Sequence, residues 1–341
     1  MSGGEQIGLF GQGVTPSGQS IDPAPSGDDV RDLGARLPTG LRLGTSSWSF
    51  PGWAGLVYAS ETTEAKLAQS GLPAYAAHPL LRTVGLDRAF YRPLTMEQYR
   101  GLSEAVPAGF RFLVKAWRAV TDPTEFGGSE GHFLDAAVAE DRIVAPAVLG
   151  MGAALGPIVF QFPPLGLTAS DAGRFLGDLD RFLGTLPRRD RGPLYAAEFR
   201  DGVLFEGRHA VRLGAILEAH NVSLGFAHHP RLPAIDTQRA AMDRGGWPIE
   251  RQPAGVCRWL LRHGLGYVEA KERYAPFKEL REPDPATRRL VGDLARAALS
   301  AGLETWVIAN NKAEGSAPLT VRELALDLVT TDATPRCGDG R

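Results

Sequence analysis

Eight short apolar runs punctuate the chain, and nearly every one ends in polar or charged residues. They are Leu41–Thr45, Leu81–Asp87, Phe110–Lys115, Pro157–Gln161, Leu194–Arg200, Val222–His229, Gly266–Lys271 and Glu304–Asn311. Most gaps between them are long enough for a helix. Eight strands alternating with helices predict an α/β fold of the TIM-like (β/α)8 class, a closed parallel barrel covered by helices. Active sites in that fold sit at the C-terminal ends of the strands. The polar endings are therefore expected to ring one mouth.

Length and charge narrow the picture further. A chain of 341 residues that is 43% hydrophobic can bury one barrel of about 250 residues or more, with tails. Residues 1–40 are rich in Gly, Ser, Pro and Asp and show no periodicity, so a disordered tail is expected there. The barrel is expected over residues 41–330 and a flexible tail over 331–341. A net charge of −2 gives no global electrostatic case for nucleic acid. Cys257 and Cys337 form neither a disulfide framework nor a metal knuckle. With no secretory pattern at the N-terminus, a reducing cytoplasm is the expected location. The uncharged run Ile143–Phe160 is interrupted by Pro146, Pro157 and three glycines. It reads as the end of a buried helix, a break and a buried strand rather than a membrane span.

The expected mouth collects Ser46, Ser47, Asp87, Tyr91, Lys115, Gln161, Glu198, Arg200, His228, His229, Glu269, Lys271, Asn310 and Asn311. Alternation along a strand puts Glu198 and Arg200 on one face, and likewise Glu269 and Lys271. Facing inward, acids and bases would meet with little water, and buried charges need partners. Such clusters shift pKa values and make general acids or bases, or they simply neutralise one another. Glu198, Lys115 and Arg200 are the expected catalytic residues. Ser46, Trp48, Tyr91, Gln161, Asn310 and Asn311 are the expected substrate contacts, although two tryptophans in one loop, Trp48 and Trp53, are more often anchors that pack it down than ligand platforms. His228 and His229 could equally face solvent. Val256–His263, with Val256, Trp259 and Leu260 on one side, predicts a helix before the seventh strand.

Cofactor signals are sparse. Glu198, His228 or His229, Glu269 and Asp87 come from four expected strand ends and could assemble a divalent metal. No short ligand motif is present, and the nearby arginine and lysines disfavour a cation, so no metal is expected. Lys115 could form a Schiff base, bind an anion or pair with Glu198. No P-loop and no G-x-G-x-x-G precedes a helix, so nucleotide cofactors have no support. Gln6-Ile7-Gly8-Leu9-Phe10, in a glycine-rich context, is similar to the Q-x-x-L-F peptides that dock on the bacterial sliding clamp.

Several segments together resemble the YecE-like family, domain of unknown function number 72. Gly44-Thr45-Ser46-Ser47-Trp48-Ser49-Phe50 with Trp53 and Tyr58 is similar to its opening G-T-S-G-W-S-Y…W…Y. Phe90-Tyr91-Arg92, and Phe110-Arg111-Phe112 with Val114-Lys115, resemble T-F-Y-R and F-x-F-x-V-K, and Thr121 stands where the family has T-H. Leu155-Gly156-Pro157 with Phe160-Gln161-Phe162-Pro163-Pro164 resembles L-G-P-x-L-x-Q-x-P-P. Glu198-Phe199-Arg200 resembles E-F-R, and Asn310-Asn311 with Gly315 and Ala317 resembles N-N-x-x-x-G-x-A. The resemblance covers about residues 41–330 in order, implies a TIM-like barrel and supplies no reaction. The departures suggest a divergent member. Val84-Gly85-Leu86-Asp87-Arg88-Ala89 replaces V-E-I-N-S-T, Asp201 replaces the histidine after E-F-R, and Leu204 a nearby tryptophan. Glu269-Ala270-Lys271-Glu272 stands where R-x-H-G is expected on strand seven. The expected function is general acid–base chemistry, hydrolytic or isomerising, on a small anionic or polyhydroxyl substrate. The alternatives are a repair or replication factor tethered by Gln6–Phe10, or a binding protein without turnover.

Overall fold

The computed structural model describes residues 20–124, 131–188 and 193–331. Eight parallel strands close in sequence order: β1 (Leu41–Thr45), β2 (Thr83–Leu86), β3 (Arg111–Lys115), β4 (Leu155–Gln161), β5 (Tyr195–Glu198), β6 (Ser223–His228), β7 (Gly255–Trp259) and β8 (Thr305–Ala309). β8 pairs with β1 from Leu41↔Thr305 to Thr45↔Ala309, which leaves no open edge. This is the expected (β/α)8 barrel. Because helices cover the outside and side chains fill the inside, both faces of every strand are buried. Seven of the eight apolar runs carry a strand for that reason. The helix that closes the ring, Ala317–Thr331, packs on β1 and β8.

Strand parity sorts the side chains. Leu113, Val159, Ala196, Val256, Trp306 and Ile308 form a separate cluster inside the barrel, while Phe112, Val114, Phe160, Leu224 and Phe226 face the helices. Each buried Val or Leu contributes about 1.5–3 kcal/mol, so the interior cluster is a plug that closes the barrel floor. Residues two further along the same inward rows, among them Lys115, Gln161, Glu198 and Arg258, emerge above the plug at the mouth.

The seventh strand is a correction. The run Gly266–Lys271 is not a strand but the start of a helix, Tyr267–Tyr274, whose Ala270 and Tyr274 point inward at a four-residue spacing. Glu269 accepts from the backbone N–H of Gly266 at 3.4 Å and caps that helix. The true β7 lies inside the segment expected to be helical, and Cys257 is buried in it. Val256 and Trp259 lie on opposite faces of this doubly buried strand, which imitates helical spacing. Glu269 and Lys271 therefore do not end a strand.

The N-terminal boundary is a second correction. Within residues 1–40, Asp28–Arg36 is a helix whose Leu33 is buried, as is Leu37 just beyond it. Arg82 donates to the carbonyls of Gly34 at 2.6 Å and Pro38 at 3.0 Å, and Arg322 reaches Asp29 at 2.9 Å. The segment is held both by Val30, Leu33 and Leu37, which pack on the main core, and by these long-range polar contacts. The Gln6–Phe10 peptide and the tail from 332 lie outside the described residues. No helix of the described residues is long and apolar enough to cross a membrane.

Close strand packing gives the first expected outcome. A Cβ on Gly44 would lie 1.9 Å from the carbonyl oxygen of Thr83. Gly44→Ala must push β1 and β2 apart and is expected to cost about 2–3 kcal/mol in urea unfolding. An unchanged midpoint would contradict this packing.

Candidate functional site

The site is built around Glu198 at the end of β5. Its carboxylate is fully buried and is held by two guanidiniums. Arg200 contacts Oε1, and the Nη1 of Arg258 donates to both carboxylate oxygens at 3.1 Å. Arg258 also donates to Gln161 Oε1 at 3.3 Å, and its Nη2 lies 3.5 Å from Asp87. Asp87, just after β2, lies 3.6 Å from the ammonium of Lys115 on β3. That ammonium sits 3.8 Å from the centre of the Phe90 ring, a cation–π contact. Four strand ends thus deliver three cations and two carboxylates to one buried cluster.

The charges set one another's protonation. Burial alone would raise the Glu198 carboxyl, but Arg200, Arg258 and Lys115 outweigh it and hold it below the ordinary carboxylate range. Burial lowers the Arg200 guanidinium, whereas Glu198 and Asp87 hold the equally buried Arg258 above its usual range. Lys115 is different. Burial pushes it down to about 8, and the nearby carboxylates only partly oppose the shift. A group near 8 exchanges protons readily at physiological pH.

The other expected residues divide. Asn310 donates to Ser46 Oγ at 2.7 Å, a link that ties β8 to β1 at the rim. Tyr91 stands exposed on the turn after β2. Trp48 and Asn311 are held elsewhere. The Trp48 indole is buried in the main core and donates to the Leu67 carbonyl at 3.0 Å. The amide oxygen of buried Asn311 accepts from Trp53 Nε1 at 3.2 Å and from the Ala317 N–H at 2.8 Å. Both serve the loop packing that their aromatic neighbours need.

His228 ends β6 on its outer face, buried, stacked on His263 with ring centres 4.3 Å apart. Burial pushes it, and likewise His229, down to about 4, so both are neutral at pH 7. Glu269 belongs to the Tyr267–Tyr274 helix, which breaks up the four-ended metal set considered above. Among the described residues, no three His, Cys, Asp or Glu side chains gather as a metal site would require.

The residue missed from sequence is Arg258. Its signal is a lone charge inside an apolar run, whose spacing predicts a helix where the structure has β7. The apparent departure at strand seven also rested on the wrong segment, because β7 carries an arginine at its mouth end. Asp201 has a definite role too. Its carboxylate accepts from the N–H groups of Leu165 at 2.8 Å and Leu167 at 3.0 Å, and so pins the loop after β4.

A family model described as "Protein of unknown function DUF72" matches residues 42–337. The chain belongs to the DUF72 family. Two solved structures are similar in fold. A DUF72 family protein from Thermotoga maritima is 20% identical with a TM-score of 0.55, the match covering 86% of this chain and 99% of that one. A DUF72 family protein from Enterococcus faecalis is also 20% identical with a TM-score of 0.55, covering 84% and 95%. No curated protein matches the chain.

Two outcomes follow for this DUF72 cluster. Glu198→Gln leaves two buried guanidiniums without their shared counter-charge and is expected to cost about 3 kcal/mol or more in chemical denaturation. Adding Arg258→Met should recover part of the loss; purely additive losses would argue against the pairing. The second concerns Lys115. An unfolded lysine keeps its proton to about 10.4, whereas the folded one releases it near 8. Between those values the unfolded state binds more protons, so stability rises with pH. The unfolding free energy of wild type relative to Lys115→Met should be flat below pH 8 and climb from there to pH 10.5, the ordinary value for a lysine. A difference that stays level throughout would mean that Lys115 is not shifted.

Proposed function

We propose that the barrel mouth is an active site that performs general acid–base chemistry, hydrolytic or isomerising, on a small anionic or polyhydroxyl substrate. The observation that carries this reading is Lys115. It is a buried amine with its pKa near 8, set between the Asp87 carboxylate and the Phe90 ring. Such an amine can take a proton from a substrate carbon or hydroxyl and return it without leaving the physiological range.

The same geometry favours Lys115 over Glu198 as the proton carrier. Both oxygens of Glu198 are occupied and its affinity for protons is depressed. Its role in this reading is positioning, because it orients Arg200 and Arg258 toward the substrate's negative charge. With three cations and two acids, the cluster holds one uncancelled positive charge, which suits an anion. Gln161, Asn310, Ser46 and Tyr91 supply hydrogen bonds around it.

The test is turnover of a panel of sugar phosphates and hydroxy acids. Activity found in wild type should fall by about 100-fold or more in Lys115→Met, the usual scale for losing a general acid or base. With Lys115 as base, the rate should rise with pH to a half-maximum near 8, because only the neutral amine accepts a proton. A Lys115→Met variant as active as wild type would overturn the assignment. Tight binding across the panel without turnover would point instead to a binding protein.

A further inference from the structure

Lys312 is a second buried lysine, and the cluster above does not use it. It follows β8 in the helical turn Asn311–Glu314 and is only 5% exposed. Its ammonium lies 4.1 Å from the centre of the Tyr267 ring and 5.9 Å from that of Phe277. That ammonium makes no ion pair and no hydrogen bond with any described residue. Burial strips that ammonium of much of its water and no described acceptor replaces it, which disfavours the charge. The nearest help is Asp87, whose charge reaches Lys312 from beyond contact distance, while Lys271 repels it.

Asp87 is thus the common neighbour of Lys115, Arg258 and Lys312, and Glu198 is already shared by the two arginines. Lys312, with Lys271 near enough to repel it, adds to the three cations that already face two carboxylates, so the mouth carries an excess of positive charge. Above them stand Tyr91 and Tyr267, about 60% exposed at 60% and 59%, two of the few large apolar side chains that the described surface leaves in solvent. Burial raises both phenols above their ordinary value, and both lie within electrostatic reach of Asp87, which raises each further. Exposed rings at the rim of a charged pocket are stacking surfaces for a ligand.

We propose that Lys312 is an anion-binding residue of the mouth and that the ligand is a phosphate monoester, or a comparable dianion, carried on a flat ring seated between Tyr91 and Tyr267. The inference rests on the reading of the mouth as a substrate site. A dianion suits that excess of positive charge, and its oxygens are acceptors for the Lys312 ammonium, which has none among the described residues. The ring takes the place of water over the two tyrosine faces.

Calorimetric titration with inorganic phosphate and with phenyl phosphate tests this. Wild type should bind phenyl phosphate about tenfold more tightly than phosphate, on the scale of one stacked ring. Lys312→Gln should weaken both by about tenfold or more, and Lys312→Arg should keep most of the affinity, because a charge-assisted contact is what is lost. Tyr91→Ala should erase the preference for phenyl phosphate, and Tyr91→Phe, which keeps the ring, should retain it. In unmutated protein, phosphate should also protect Lys312 from amine-directed labelling read by mass spectrometry. If Lys115→Gln loses phosphate while Lys312→Gln binds as wild type does, or labelling of Lys312 is unaffected by phosphate, this inference fails and the reading of the mouth survives. If wild type binds neither compound, this inference fails, and the reading of the mouth is decided by turnover of the panel. Equal affinity for the two compounds overturns the ring-bearing ligand.

Discussion

The mouth of this barrel depends on one buried carboxylate. Glu198 lies at the end of β5 with no contact with solvent, and it is the counter-charge for Arg200 and Arg258. Two guanidiniums could not be held there without it, because burying an unpaired charge costs several kcal/mol. Once the three are locked together, Arg258 is free to reach across to Asp87 and Gln161, and the strand ends from β2 to β7 become one network. The hydrophobic plug below keeps water from the underside of this network, which strengthens each interaction in it.

That arrangement leaves the lysines as the adjustable charges. Arginine stays protonated under all ordinary conditions, and Glu198 is held ionised by its partners. Lys115 and Lys312 are both pushed down to about 8 by burial, and both feel Asp87. One carboxylate thus moderates two amines on different strand ends, β3 and β8. The net positive charge of the mouth therefore falls as pH rises through 8. The structural histidines are already neutral there, so they add nothing to that change.

Much of the site was legible from the chain because strand parity is a local property. Glu198 ends β5 and Arg200 follows it by two residues, so an extended chain puts both on one face, and in a closed barrel that face is either core or mouth. Lys115 and Gln161 followed by the same reasoning. Arg258 was not legible, since Gly255–Trp259 is apolar on both faces and a five-residue run of that kind imitates a helix segment. The Tyr267–Tyr274 helix misled in the opposite direction, its opening residues alternating like a strand. Trp48 and Asn311 look like rim residues by position, yet each spends its polar atoms on neighbouring backbone and indole groups. Which way a side chain turns after a strand ends depends on the loop, and the loop depends on distant packing.

The alternation of short apolar runs with helix-length gaps, seven of the eight runs carrying a strand, by itself determined the (β/α)8 architecture and the end of the barrel where charges would collect. These follow from hydrophobic periodicity and from the parallel connections that helices impose, which are properties of neighbouring residues. Only the tertiary structure decided which charges meet. Arg258 and Glu198 are sixty positions apart, Asp87 and Lys312 farther still, and barrel closure alone brings them within reach of one another. The pKa of Lys115 belongs to the same class, because burial and the charges around it exist only when the strands have come together.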